Sequence, residues 1–581
     1  MLNPAEQKFV KIILPFAITL VIILLVIIPG PSNWRNSFFL DHDYPFDFIS
    51  WESLYVSEST GRISSLALIS LFPNLLISQI FHGTWEFFQS FFLKIFPLFI
   101  FTYLFSKCLV SSRDNLLINF QGILFIFVII FLLQFNIVGL MFLNSGIFYN
   151  LMVQACIYLF TFHFYKFQQD PDSIFSQRGI YLSALTLQTA IIVGSLVVPI
   201  GIYLAIIYSV KLNRVANKKN ICIFFGLICS ALFFYLLTRI HNISLDTRID
   251  EIGNFVLNRG YENISGGYFY QFIGYSNWGI YTSWNDRLIG GFVSFYQLPS
   301  YQLSLFFLSS ASVFYLIKSK SYRILIILGT FILFAAGNQP PFGGIFVWFV
   351  DHIPGFQSIR TPDNKFGPFI QIIFLICLVD SWSWYRTIWK NFILAALVLV
   401  TTINIVPIMN GSVIFGKNSQ FSPSSSFVLD ISYEKKLLSY IKPEDFLMII
   451  PGNGNFDHPS GRAGFLDPLF HIHKNIISYN AARIDEQSKY SQALKAGDYS
   501  NLMNVNVIVL RKSEKFLDQK KVEGAGFKKI YEDQYSSVFR APPKIISLSY
   551  QAKYLIYIAL VGVFLYGFLV WLIYRLFNEQ K

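Results

Sequence analysis

The residues best suited to acid–base chemistry lie in one short polar stretch, Phe39 to Asp47. It places Asp41, Asp43 and Asp47 around His42. Acidic residues are scarce, with 33 Asp and Glu in 581 residues, so a cluster of three is informative. The stretch closely follows a strongly apolar segment. This position suits a general base that removes a proton from a substrate at a membrane surface. The alternative is a solvated loop after a helix.

A second, basic group precedes a late apolar segment. Arg360 and Lys365 lie in the stretch 356–368, at the end of that segment predicted to face outside. Cations on the outer side oppose the usual positive-inside bias, so a bound anion would balance them. The guanidinium fork suits a lipid phosphate, and the lysine adds a point charge. Alternatively, Arg360 pairs with Asp351 or Asp363 as a structural clamp.

Other residues give weaker signals for binding. Trp278 and Trp284 lie in a polar region rich in Tyr, Gly and Asn, and they either stack on a sugar or belong to an interfacial aromatic belt. Asp41, His42 and Asp43 could together hold a divalent cation that neutralises a phosphate, as an alternative to a metal-free site.

The remaining histidines and the cysteines predict no site. We interpret the segment that contains His458, His471 and His473 as an outward-facing loop. The five cysteines all lie within apolar segments, so neither a disulfide framework nor a cysteine metal site is expected. The sequence also contains no phosphate-binding GxxxxGK[ST] motif and no convincing GxGxxG.

The composition determines the protein class. Hydrophobic residues make up 54% of the chain and charged residues only 13%, whereas a soluble chain carries roughly 25% charged residues. The composition therefore predicts a polytopic α-helical membrane protein. Much of the net charge of +12 lies in short runs between apolar segments, as expected of cytoplasmic loops, and it does not indicate nucleic-acid binding.

The apolar segments predict about twelve transmembrane helices. The first, near residues 10–28, follows Lys8 and lacks a cleavage site, so we expect an uncleaved helix and a cytoplasmic N-terminus. The alternation of basic loops then places three loops outside and the C-terminus inside. Segment 179–210 is long for one span and short for two, which predicts a hairpin or two partial helices. The outside loops are 31–88, 239–300 and 337–366.

A hydrophilic region interrupts the apolar pattern late in the chain. In residues 411–551, apolar runs at 446–450 and 505–510 alternate with helical patterns near 433–441, 486–495 and 513–521. This alternation predicts a small extracytoplasmic α/β domain. The predicted organisation is a membrane domain (1–410), the α/β domain (411–551), and a final helix with a short cytoplasmic tail (552–581).

This layout resembles the GT-C superfamily of polytopic glycosyltransferases, and within it the bacterial arabinofuranosyltransferase-like proteins. The resemblance is carried by the acidic loop after the first helix and by the Arg-Thr-Pro-Asp-Asn-Lys-Phe stretch at 360–366. The α/β domain before the last helix, including Leu-Met-Asn-Val-Asn-Val-Ile-Val at 502–509, adds to it.

The resemblance implies a transferase of the bacterial cytoplasmic membrane that takes a sugar from a polyprenyl-phosphate donor. The acceptor would be a glycan, lipid or protein. Asp41 would act as the general base with Asp43 as second choice, Asp47 would orient the loop, and the reaction would invert the anomeric centre. Arg360 and Lys365 would hold the donor phosphate.

Two other functions fit the same layout. One is a transporter or flippase for a lipid-linked glycan, and the other is a non-catalytic envelope-assembly protein. A transporter should carry ionisable or polar residues near the middle of several spans. Here the spans have few ionisable residues and the polar clusters lie in outside loops, which favours chemistry at the surface.

Overall fold

The architecture divides into a helical part before residue 410 and a sheet after it. In this computed structural model the described residues are 4–28, 37–39, 96–111, 120–136, 139–140, 154, 157–163, 267–274, 293–353, 356, 362–409, 428–450, 456–459, 461–463, 467–473, 476–477, 505–512 and 519–541. The awkward segment 179–210 and the expected final helix within 552–581 lie outside these ranges.

The helical part begins with α1 (Pro4–Ile27) and a short strand, β1 (Ser37–Phe39). The helices that follow are α2 (Phe96–Ser111), α3 (Phe120–Phe135), α4 (Gly267–Phe272), α5 (Val293–Tyr296), α6 (Pro299–Lys318), α7 (Tyr322–Ala335), α8 (Gly343–His352), α9 (Pro362–Ser381) and α10 (Thr387–Met409). A further helical segment covers residues 157–163.

Three of the described helices are long and apolar enough to cross a membrane. These segments are Phe9–Val26 of α1, and the whole of α6 and α10. Their outward surfaces carry exposed apolar side chains such as Leu303 and Phe392, which suits contact with lipid rather than water. The chain is therefore a membrane protein, as its composition predicts.

Polar contacts between helices fix their relative directions. The Gln121 amide donates to Asn391 at 2.9 Å near the start of α3 and α10, and Asn404 donates to the Phe135 carbonyl at 2.8 Å near their ends. These two helices therefore run parallel. Tyr301, near the start of α6, donates to Asn404 at 3.0 Å, so α6 runs antiparallel to α10.

The same reasoning orients α7 and α9. The Ser312 hydroxyl of α6 donates to the Phe374 carbonyl of α9 at 3.1 Å, and further along both helices Tyr315 contacts Trp384, just after α9, so these helices run parallel. Phe334, near the end of α7, stacks on Phe366, near the start of α9, with ring centroids 5.5 Å apart. The starts of α6 and α9 and the ends of α3, α7 and α10 thus lie at the same end of the bundle. We call it the loop end.

Helix α9 begins earlier than the sequence suggested. We expected the outside loop to run to residue 366, but Pro362 starts the helix and the loop also contains α8. Proline suits the first helical position because its missing N–H needs no partner there. Asp363 lies buried in the same first turn, where the helix dipole favours a carboxylate.

The second part is built on a mixed sheet. Its elements are β2 (Val428–Asp430), α11 (Ser432–Leu438), β3 (Leu447–Ile450), β4 (Phe456–His458), β5 (Gly461–Ala463), α12 (Leu469–Ile472), β6 (Ile476–Ile477), β7 (Val507–Arg511), α13 (Gln519–Gly524), β8 (Lys528–Glu532) and β9 (Ser536–Arg540). The strand order is β6-β3-β7-β9-β8. Strands β6, β3 and β7 run parallel, β9 pairs antiparallel with β7, and β8 pairs antiparallel with β9.

The central strands are buried on both faces, which explains their unbroken apolar runs. Alternate residues pack into separate clusters, one with Val522 of α13 and the other with Leu437 of α11. The fold agrees with the α/β pattern expected from the sequence. The helical pattern expected at 486–495 lies outside the described residues.

A short ladder connects the beginning of the chain to this second part. Strand β1 pairs antiparallel with β2, with Ser37 opposite Asp430 and Phe39 opposite Val428. A backbone ladder cannot pass through a lipid bilayer, so both strands lie on the same side of it. The segment after α1 and the segment that leads into the sheet are therefore neighbours.

Candidate functional site

The acidic residues singled out in the sequence lie just beyond a described strand. Asp41, His42, Asp43 and Asp47 are outside the described residues, and so is the cation site suggested for the first three of them. Strand β1 ends at Phe39, two residues before Asp41. The ladder with β2 therefore fixes the start of the acidic stretch beside the segment that leads into the sheet.

Of the predicted phosphate-binding pair, the structure describes only the lysine. Lys365 is half-buried in the first turns of α9, at the loop end of the bundle. Arg360, Trp278 and Trp284 lie outside the described residues. Asp351, suggested as a clamp for Arg360, is exposed at the end of α8.

A chain of uncharged polar side chains that sequence reasoning missed begins at the loop end and reaches the middle of α9. The Asn136 amide donates to the Tyr158 hydroxyl at 2.9 Å, and Gln154 also bonds this hydroxyl. The Tyr158 hydroxyl donates to the side-chain Oε1 of Gln371 at 3.1 Å, and Gln371 Nε2 donates to the Gly274 backbone carbonyl at 3.1 Å. We call Asn136, Gln154, Tyr158 and Gln371 the amide cluster.

This cluster joins three parts of the chain that are distant in sequence. Asn136 follows the end of α3, Gln371 lies in α9, and Gly274 follows α4. All four side chains of the cluster are buried. The signal available in the sequence was the interruption of apolar runs by single amides, such as Asn136 directly after Phe120–Phe135.

The chemistry of the amide cluster follows from its side chains. Amides and phenols both donate and accept hydrogen bonds, and they carry no charge at neutral pH. Such groups can bind the hydroxyls of a neutral ligand, whereas a phosphate needs cations. Lys365, the described cation of the predicted phosphate-binding pair, lies on α9 six residues before Gln371. This separation corresponds to a rise of about 9 Å along the helix.

A second buried cluster lies in the sheet, and it is charged. Arg511, at the end of β7, donates through Nη2 to Asp467 Oδ1 at 2.8 Å and to Glu434 Oε1 at 3.1 Å. Its Nη1 donates to the Ser536 hydroxyl at 3.0 Å. His458 Nε2 lies 2.8 Å from the same Glu434 oxygen. We call these five residues the arginine cluster.

The arginine cluster corrects one expectation. We expected an outward-facing loop around His458, His471 and His473, but His458 and His473 are buried. His473 Nε2 lies 2.9 Å from the Asp445 carbonyl oxygen, so both histidines hold the sheet to its connections. Sequence alone could not reveal this, because the partner Glu434 lies in α11.

Electrostatics explain why the cluster is a structural clamp. Burial alone would raise the pKa of Glu434, but the hydrogen bond to His458 and the charge of Arg511 outweigh burial and lower it. Burial opposes the charge of Arg511, yet Asp467 and Glu434 raise its pKa above the usual value. With its donors bound to protein oxygens, Arg511 is not positioned to bind a substrate anion. Within the described ranges, no group of three or more Asp, Glu, His or Cys could hold a metal ion.

Comparisons with known proteins return little. No family model matches the chain, and no curated protein matches it. Among solved structures it is similar to the cryo-EM structure of arabinofuranosyltransferase AftD from Mycobacteria, with 11% identity and a TM-score of 0.48. The match covers 91% of this chain and 40% of that one.

Proposed function

We propose that this chain is a membrane glycosyltransferase. It transfers a sugar from a polyprenyl-phosphate donor to a glycan, lipid or protein acceptor on the extracytoplasmic face, with inversion at the anomeric carbon. The observation that carries the proposal is a set of polar groups that runs from the loop end into the bundle. Lys365 lies in the first turns of α9, and the amide cluster extends from Asn136, directly after α3, to Gln371 in the middle of α9.

The ladder adds the acidic stretch to this arrangement. Strand β1 leads directly into Asp41 and Asp43, and its partner β2 leads into the sheet. In the proposed mechanism, Asp41 or Asp43 removes the proton from the acceptor hydroxyl, with Asp41 preferred and Asp47 orienting the loop. Because phosphate is a good leaving group, the reaction requires no general acid.

The donor phosphate would bind Arg360 and Lys365. A guanidinium makes paired hydrogen bonds to phosphate oxygens, and the ammonium adds a flexible positive charge. Trp278 and Trp284 would contact the sugar or the acceptor. A divalent cation at Asp41, His42 and Asp43 remains the alternative means of neutralising the phosphate.

The proposed location is the cytoplasmic membrane of a bacterium, with about twelve spanning helices and cytoplasmic termini. The sheet would then lie outside, in the domain 411–551. The length of three described helices supports the membrane location, and the ladder supports a common side for the acidic stretch and the sheet.

Transport is the main competing function, and the hydroxyls inside the described bundle give it little support. The hydroxyls of Thr161 and Ser106 each donate to a carbonyl one turn earlier in their own helix, and Ser312 donates to the Leu308 carbonyl and across to the Phe374 carbonyl of α9. These hydroxyls are satisfied by backbone carbonyls and are not available to a passing substrate.

Replacement of the acidic residues tests the proposal. In purified protein reconstituted in nanodiscs, Asp41→Asn or Asp43→Asn should lower sugar transfer by about 100-fold or more, as expected for loss of a general base. Donor binding and melting temperature should stay near the wild-type values. Glu444→Gln, at an exposed carboxylate of the second part, is the matched control and should leave transfer unchanged.

Two outcomes would contradict the proposal. Near-normal transfer in both single variants would remove the acidic stretch from the mechanism. Wild-type protein that moves lipid-linked sugar between leaflets without transferring it to any acceptor would instead support the transporter.

A further inference from the structure

Gln271 is a buried side chain with unusual hydrogen bonding. It lies in α4 and is 0% exposed. Neither its Nε2 nor its Oε1 has a hydrogen-bond partner in the part of the chain that the structure describes. Buried amides are nearly always hydrogen-bonded, so an amide left without partners indicates a position where another molecule completes the bonds.

The position of Gln271 connects it to the amide cluster. The Gly274 N–H donates to the Gln271 carbonyl oxygen at 3.1 Å, and the Gly274 carbonyl accepts from the Gln371 amide at 3.1 Å. Gly274 has φ of +71°, which favours glycine there. A Cβ atom at this position would lie 3.6 Å from Cγ of Gln371. The end of α4 therefore packs closely on α9 beside the cluster.

Helix α4 is also held from its other side. The Tyr268 hydroxyl donates to the Gln339 carbonyl at 3.2 Å, and the Tyr268 ring packs edge-on against Phe342, with centroids 5.8 Å apart. These contacts tie α4 to the connection between α7 and α8. The backbone that carries Gln271 is thus fixed at both ends, as a specificity-determining residue requires.

We infer that Gln271 and the adjoining amide cluster form a subsite for the uncharged, hydroxyl-rich part of a ligand. This inference rests on the proposed function, in which that part is the sugar ring of the donor. Gln271 would donate to one sugar hydroxyl and accept from another. Gln271 is then the specificity-determining residue, and the bonded side chains of Gln371 and Tyr158 support it.

The spacing along α9 fits such a ligand. Lys365 lies about 9 Å before Gln371 in helical rise, on the side of the loop end. A phosphate bound near the start of α9 would therefore leave its attached sugar beside the end of α4. The cationic residue lies nearer the loop end and the neutral groups lie deeper along α9, which is the order in which a phosphate and its attached sugar would follow each other.

The experiment compares binding of three lipids to full-length protein in nanodiscs. The probes are polyprenyl phosphate alone and its phosphoester-linked pentofuranose and hexopyranose. Wild-type protein should bind at least one glycosylated probe more tightly than polyprenyl phosphate. In Gln271→Leu this preference should fall by about tenfold, because hydroxyls would lose their partner. Binding of polyprenyl phosphate itself should not change.

Melting temperature separates a ligand-binding role from a structural one. Gln271 has no hydrogen-bond partner among the described residues, so replacing it by leucine of similar size removes no hydrogen bond there, and Gln271→Leu should melt no lower than wild type. Gln371→Leu breaks bonds to Tyr158 and Gly274 and should melt lower. Gln302→Leu, at a half-buried glutamine near the start of α6, is the matched control and should keep the sugar preference.

The outcomes distinguish this inference from the proposed function. An unchanged sugar preference in Gln271→Leu, or a lower melting temperature without change in preference, would overturn the subsite alone. Wild-type protein that binds all three probes equally would also overturn it, while leaving phosphate binding intact. Failure to bind any probe would contradict both.

Discussion

At the scale of residues, the two buried clusters differ in charge, and this difference determines what each can do. In the arginine cluster, Arg511 is bound by Asp467 and Glu434, so its charge is balanced within the protein. The bonds described for the amide cluster join uncharged groups: amides, a phenol and a backbone carbonyl. The first cluster stabilises the sheet, whereas the second suits neutral ligand groups.

The buried ion pair of Glu434 with Arg511 should make the stability of the folded protein depend on pH. The pKa of Glu434 is lower in the folded protein than its usual value of 4.5. Its contribution to stability is therefore fully present above pH 4.5 and is lost as pH falls through the lower folded pKa. Glu434→Gln should destabilise the protein by about 3 kcal/mol or more at neutral pH, because breaking a buried pair leaves Arg511 partly uncompensated.

Thermal melting of the full-length protein in detergent at pH 7 and pH 3.5 checks this prediction. Glu434→Gln should lower the melting temperature at pH 7 and reduce the loss between the two pH values. Glu444→Gln, an exposed change, should behave as wild type. An unchanged melting temperature in Glu434→Gln at pH 7 would contradict the clamp.

At the scale of elements, long periodic or apolar segments were predictable from the sequence. Short strands that pair across a large sequence separation were not. The runs at 446–450 and 505–510 form β3 and β7, and the apolar segments after residue 300 form α6, α7, α9 and α10. The β1–β2 ladder was missed because each strand has three residues and the two lie far apart in sequence. Helix α4 was missed because six residues in a Tyr-rich stretch show no helical period.

The ladder predicts a specific cross-link. Phe38 lies opposite Leu429 in the antiparallel register, and directly opposite Cα atoms are about 4.5–5.5 Å apart, within the range that a disulfide can bridge. In a cysteine-free background, Phe38→Cys with Leu429→Cys should oxidise readily to an intramolecular disulfide. A non-reducing gel after proteolysis between the two sites measures it.

A control pair tests the register of the ladder. Phe38→Cys with Ser432→Cys places the second thiol at an exposed position of α11, beyond β2, and should cross-link much less. Equal cross-linking of both pairs, or none in the first, would contradict the ladder. The acidic stretch would then no longer be placed beside the segment that leads into the sheet.

At the scale of the whole molecule, the composition predicted the membrane class, whereas the side on which chemistry occurs stays a prediction. Of the predicted site residues, the structure describes only Lys365, in the first turns of α9, and the others belong to stretches outside the described ranges. Gln271 could not be found from sequence, because a single glutamine acquires meaning only from its burial and from having no hydrogen-bond partner among the described residues.

The common side of the ladder and the sheet leads to a prediction about topology. Cysteines placed at Ser424 and Ser513, in a cysteine-free background, should react with an impermeant maleimide in intact cells, because the region 411–551 is proposed to lie outside. A cysteine at Ser319, exposed in the basic turn between α6 and α7, should react only after the membrane is permeabilised. Basic turns stay in the cytoplasm, and Lys318 and Lys320 flank this position. The reverse labelling pattern would place the acidic stretch and the sheet in the cytoplasm. The proposed extracytoplasmic transfer would then fail, whatever the activity of the purified protein.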